Sequence, residues 1–146
     1  VLGSAGTFPY EGAKQTIPQF WQAHFAAGKG SVVCGKYGIN IDAQMGHDTF
    51  EYLIADDYTP GKPIPDGFVT RTIPALTWAV FPCTGPLPQA LQDVNTKIFT
   101  EWLPALRDYE FAAGYCVEMY ADPREFPKGT MDEKYYSEIW IPVKKK

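Results

Sequence analysis

An α+β fold in which one β-α-β-β unit occurs twice is predicted by three observations. The order of strand and helix signals repeats, the two repeats carry matching aromatic and acidic residues, and a segment rich in Pro and Gly at 56–67 separates them. A single domain over residues 1–146 is expected, with repeats at about 1–59 and 67–146, because a chain of this length builds one hydrophobic core and is short for two. Apolar residues make up 45% and charged residues 21%, which is ordinary globular composition and indicates neither disorder nor a membrane protein. No apolar run approaches the roughly 20 residues that a membrane span needs.

The first helix is signalled by Thr16 and Gln19 at the spacing of a capping box. Ile17, Phe20, Trp21, His24 and Phe25 then recur at helical spacing until Gly28 and Gly30. The second begins near Leu87-Pro88, after a turn at Gly85-Pro86, shows Leu91, Val94, Ile98 and Trp102 on one face, and is expected to end before Pro104. Strand signals lie at 31–41, 49–55, 68–73, 76–82, 115–120 and 136–143, with a weaker one through 1–8. In the two repeats Trp21 and Phe25 answer Ile98 and Trp102, and Phe50-Glu51-Tyr52-Leu53-Ile54 answers Ser137-Glu138-Ile139-Trp140-Ile141. Each of those strands is apolar and interrupted by an acid, Glu51 in one and Glu138 in the other. Side by side, the halves predict a mostly antiparallel sheet with both helices on one face and a ligand cup on the other, along a pseudo-twofold axis.

Charge and motif content exclude several functions. The net charge is -4 and the only basic run, Lys144-Lys145-Lys146, reads as a solvated end, so no direct nucleic-acid binding is expected. Cys34, Cys83 and Cys116 are odd in number, lack CxxC spacing and follow no cleavable signal, which predicts reduced thiols in a cytoplasmic protein. His24, on the apolar stripe of the first helix, reads as a core histidine, and His47, in Gly46-His47-Asp48, as a loop residue. Without HExxH or EF-hand spacing no metal is expected, and without a P-loop, dinucleotide fingerprint or GxSxG neither a cofactor nor an activated nucleophile is.

The aromatic content, 15% with nine Tyr and four Trp, suits a cavity that is apolar and can still hydrogen-bond. Alternation along a strand sends Glu138, Trp140 and Pro142 one way, and places Cys116, Glu118 and Tyr120 together on a face. Glu118 and Glu138 can therefore converge on one cavity, or both can lie on a solvated side of the sheet. An ionised carboxylate in an apolar setting costs several kcal/mol unless paired, so either acid inside would call for a partner.

The stretches Thr77-Trp78-Ala79-Val80-Phe81, Gly85-Pro86-Leu87, Val117-Glu118-Met119-Tyr120 and Tyr136-Ser137-Glu138-Ile139-Trp140-Ile141-Pro142-Val143 resemble the GyrI-like domain, the effector-binding domain of AraC-type transcription activators. The resemblance covers nearly the whole chain and is strongest over 67–143. It implies a duplicated β-α-β-β fold whose cup binds amphipathic, often cationic, organic molecules. It implies also a glutamate of the last strand facing the ligand, which falls on Glu138, and a second acid, which falls on Glu118. Trp78 and Trp140 match positions that line the cup, as do Trp21 and Phe25 less closely, and Tyr120 shares the Glu118 face.

Members of the resembled family occur fused to a DNA-binding domain, free-standing as drug binders, and free-standing as hydrolases of reactive small molecules. No helix-turn-helix segment is read in this chain, so a fused or separate DNA-binding domain would lie elsewhere. Binding of a small hydrophobic or cationic ligand, anchored by Glu138, is the expectation. The alternatives are a hydrolase using Glu118 and Glu138 as base and orienting partner, and a protein inhibitor that docks through its surface.

Overall fold

The computed structural model describes residues 1–41, 48–87, 89–112 and 114–146; His47 and Pro88 lie outside them. The first half folds as β1 (Leu2–Pro9), α1 (Ala13–Ala26), β2 (Tyr37–Ile41) and β3 (Thr49–Asp56). A short β4 (Val69–Thr70) precedes the second half: β5 (Thr77–Thr84), α2 (Gln89–Lys97), a short β6 (Tyr109–Phe111), β7 (Tyr115–Tyr120) and β8 (Tyr136–Lys145). All strands join one antiparallel sheet in the order β4-β1-β3-β2-β7-β8-β5, with β6 on β8. Each half thus pairs in the same order, β1-β3-β2 and β5-β8-β7, and the halves meet where β2 pairs with β7.

Strand register assigns every side chain to a face, because residues directly opposite one another point the same way. Phe8 opposite Phe50, Asn40 opposite Tyr52 and Cys116, Glu118 opposite Ile139 and Phe81 opposite Ile139 belong to one face. Both helices cover it. Ile17, Phe20 and Trp21 of α1 pack on Phe50, Tyr52 and Ile54 of β3, while Leu91 and Ile98 pack on Cys83, Ile139 and Ile141 of β5 and β8. The other face carries Ile39, Leu53 and Val117 with Tyr37, Trp78 and Trp140, and among the described residues no helix covers it. The sheet is therefore apolar on both sides, one packed under helices and one half-open.

Several local expectations are corrected. The capping box at Thr16 and Gln19 does not form: α1 starts at Ala13, and Thr16 Oγ1 donates 3.3 Å back to the Gly12 carbonyl. The second helix passes Pro104, through a π-helical stretch Ile98–Trp102 and a closing α-turn Leu103–Ala105. That wider stretch accompanies the proline two residues on, which has no N–H to give to the carbonyl four residues back. The strand expected over 31–41 is reduced to β2, because Asp56 at the end of β3 draws the preceding loop into a turn, accepting from the backbone N–H groups of Cys34, Gly35 and Lys36 at 2.8, 2.9 and 2.9 Å. Gly35, at φ +88°, takes the left-handed conformation there. The segment at 68–73 is a strand only at Val69–Thr70, with Arg71 exchanging backbone hydrogen bonds with Val1 beyond it, whereas the weak signal at 1–8 is a full strand paired with β3 along its length.

Candidate functional site

α1 rests on β1 and β3, and α2 rests on β5 and β8, so among the described residues no helix is seated on the two central strands β2 and β7, which only the Trp21 side chain of α1 reaches, at Gly38 and Tyr120. The result is a cleft of about 680 Å³ between the helices, with the middle of the sheet as its floor. The cup accordingly lies on the helical face and not on the opposite one, because helices seated over the outer strands leave the seam between the halves open.

The floor carries Asn40 from β2, Tyr52 from β3 and Cys116, Glu118 and Tyr120 from β7; Trp21 and Phe25 form the α1 wall. Glu118 is the one charged side chain among the described lining residues. Tyr120 donates a hydrogen bond to its Oε2. Trp21 Nε1 donates to the Tyr52 hydroxyl at 3.0 Å, and the Trp21 ring meets that of Tyr120 edge to face at 5.3 Å between centroids, so these aromatics form one group with the phenol that holds the acid. The Tyr52 phenol lies across β2 at Gly38, where any Cβ would run into its hydroxyl. Gly35 leaves similar space for the Trp21 ring, whose nearest atom would sit 2.6 Å from an added Cβ.

Burial among these groups raises the Glu118 carboxyl above the usual carboxylate range, and the Tyr120 hydrogen bond works against that shift. Burial also raises the hydroxyls of Tyr52 and Tyr120, with the nearby Glu118 charge adding to both. Cys116 is pushed up to about 12 by the same two causes, so it stays a thiol. The carboxylate is walled by protein yet half-open, its accessible side being the cleft.

The residues singled out from the sequence divide between the two faces. Glu118, Tyr120, Trp21 and Phe25 meet in the cleft. Glu138, Trp78 and Trp140 do not. Met119 is the partner of Glu138 and Glu118 that of Ile139, so the two acids point to opposite sides of the sheet and the expected convergence is not met. Glu138 accepts from the Tyr136 hydroxyl and, at 2.9 Å, from Trp140 Nε1 on the outer face. Trp78 and Trp140 contact each other there at 6.2 Å between ring centroids. Glu51 lies on that face too, in a two-pronged pair with Arg71 at 2.8 and 3.0 Å. The base-and-partner arrangement of a Glu118–Glu138 hydrolase is consequently not assembled.

Sequence reasoning missed Tyr52, Asn40 and the rim residues Gln92, Asn95 and Phe99, which line the cleft. The alternation Phe50, Tyr52, Ile54 could have grouped Tyr52 with the floor. His24 is a satisfied core residue: its Nε2 donates 2.8 Å to the Val33 carbonyl, which leaves Nδ1 to accept from Ser4 Oγ at 3.2 Å. No helix among the described residues is long and apolar enough to cross a membrane.

Comparison with known proteins gives a consistent picture. The profile of the Cass2 family, described as integron-associated effector binding protein, matches residues 1–143. Transcriptional regulator BrlR of Pseudomonas aeruginosa is 32% identical over 133 residues, which are 88% of this chain and 46% of the relative. The chain thus spans about half the length of that curated relative. Among solved structures, SAV2435 bound to tetraphenylphosphonium has a TM-score of 0.76 at 23% identity, covering 98% of this chain and 87% of the other. An integron cassette protein from the mobile metagenome of Vibrio cholerae has a TM-score of 0.68 at 17% identity, covering 98% and 88%. At these identities the two structures establish likeness of fold.

Proposed function

We propose, for a chain that belongs to the family of integron-associated effector binding proteins, that the cleft between α1 and α2 takes up an amphipathic organic cation with Glu118 as its polar anchor. A single observation carries the reading: one half-buried carboxylate, held by a phenol, is the only charge that the described residues present to a cleft otherwise lined by apolar, aromatic and uncharged polar side chains. Such an acid loses hydration without gaining a counter-ion, and an incoming cation supplies it while aromatic faces receive its rings. That SAV2435 was solved with tetraphenylphosphonium supports the ligand class.

The likeness to BrlR supports a role in reporting such compounds to transcription, with a DNA-binding domain fused or separate. An AraC-type regulator and a cytoplasmic location complete this reading. Residues 1–146 are taken as one domain of two repeats, about 1–59 and 67–146, a reading supported by the equal pairing order of the two halves. The opposed faces of Glu118 and Glu138 favour binding over the two-acid hydrolase. Calorimetric titration with tetraphenylphosphonium tests the proposal: saturable binding of one cation per chain is expected, and no saturable heat at millimolar cation would overturn it.

A further inference from the structure

The two helical walls of the cleft differ in chemistry. The α1 wall is Ala13, Ile17, Trp21 and Phe25, and its one polar atom, the Trp21 indole N–H, is already given to Tyr52. The α2 wall presents the side-chain amides of Gln92 and Asn95, and the floor adds the Asn40 amide from β2. Two of the three phenols of the cleft donate to partners of their own, Tyr120 to Glu118 and Tyr135 to the Ala121 carbonyl at 2.6 Å, and the third, Tyr52, accepts the Trp21 N–H. The three amides, by contrast, hydrogen-bond to none of the described residues. Elsewhere on α2 an amide does find a partner, since Gln89 Nε2 donates to Asp93 at 2.7 Å on the solvent side. A primary amide offers two N–H groups and a carbonyl, so this wall can satisfy a donor or an acceptor of a guest and cannot neutralise its charge.

We infer that the cleft selects cations bearing a neutral hydrogen-bonding group at one end, such as a carboxamide or hydroxyl: the rings lie against α1, the charge at Glu118 and the polar group against Gln92 and Asn95. This rests on the reading of the cleft as the effector site and narrows its ligand from any lipophilic cation to a two-ended one. A purely aryl cation meets only the first two of these contacts.

The test uses two probes that differ in one group, tetraphenylphosphonium and (4-carbamoylphenyl)triphenylphosphonium. Both are titrated into the whole chain and into a Gln92→Leu/Asn95→Leu variant, whose two sites are exposed and do not hold the core. The wild type is expected to bind the carbamoyl cation about 3- to 10-fold more tightly, the value of one or two neutral hydrogen bonds. In the variant the ratio of the two affinities should fall to about one, and a thermal melt like that of the wild type shows that the fold is intact. Equal affinities in the wild type, or a preference that survives in the variant, overturn the inference and leave the effector site standing. Failure of both cations to bind the wild type overturns the two together.

Discussion

Replacing Glu118 by Gln removes the charge of the cleft and keeps its shape, since the amide oxygen can still accept from Tyr120. A cation centre screened by its own aryl groups comes to about 5 Å of the carboxylate, and at an effective dielectric of about 20 that pair contributes about 3 kcal/mol. Part of this is offset in the wild type by holding an ionised acid out of water, so a net loss of about 1.5–3 kcal/mol, or roughly 10- to 100-fold in Kd for tetraphenylphosphonium, is expected. No other described lining residue is charged and able to take over. Because burial raises the Glu118 carboxyl, cation affinity of the wild type should fall as pH drops through that raised value, and the variant should be flat in the same window. In the ligand-free protein the opposite sign is expected. A raised carboxyl contributes stability that is complete below its unfolded pKa and lost as pH rises through the folded one, so ligand-free Glu118→Gln should melt higher than wild type at neutral pH. The assay is calorimetric titration across pH, with Glu138→Gln as control on the opposite face. Equal affinities of wild type and Glu118→Gln, or an equal loss in Glu138→Gln, would refute the reasoning.

Gly38→Ala should lose about 1–3 kcal/mol in denaturant unfolding, because the new methyl group displaces the Tyr52 hydroxyl and with it the Trp21 hydrogen bond; a midpoint like that of wild type would contradict the packing described. In the folded protein at neutral pH a water-soluble disulfide reagent should modify the exposed Cys34 alone, and in denaturant all three thiols, since burial holds Cys83 at about 11 and Cys116 at about 12. Tryptophan fluorescence should respond to tetraphenylphosphonium through Trp21: Trp21→Phe abolishes the response, whereas Trp78→Phe with Trp140→Phe preserves it.

The long elements were legible because their patterns are local. α1, the second helix and the strands at β3, β7 and β8 announce themselves by apolar period and by bounding Gly, Pro and Asp residues. The β1 segment, LGSAGTFP, gave a weak signal because small residues fill it, yet it pairs with β3 throughout. The apolar pattern at 31–41 runs past the start of β2, because the carboxylate that folds the leading loop, Asp56 of the neighbouring β3, lies 20 to 22 residues away in sequence.

The site was half legible for a related reason. Alternation groups Glu118 with Tyr120, and Glu138 with Trp140, but it does not tell which group faces the helices. That depends on the cross-strand register, which sets Glu118 beside Ile139 and Met119 beside Glu138. Amphipathicity offered no help, since Ile139 and Ile141 pack under α2 while Trp140 and Trp78 make the outer face apolar as well. Glu51 of β3 and Glu138 of β8 both lie on the outer face, outside the cleft.

Binding between α1 and α2 at Glu118 is tested most directly by where a bound cation sits. A crystal structure of the chain with tetraphenylphosphonium should place the phosphorus between α1 and α2, with an aryl ring against Trp21 and the carboxylate of Glu118 as its nearest charge. A cation seated instead on the outer face, against Trp78 and Trp140 beside Glu138, would contradict it.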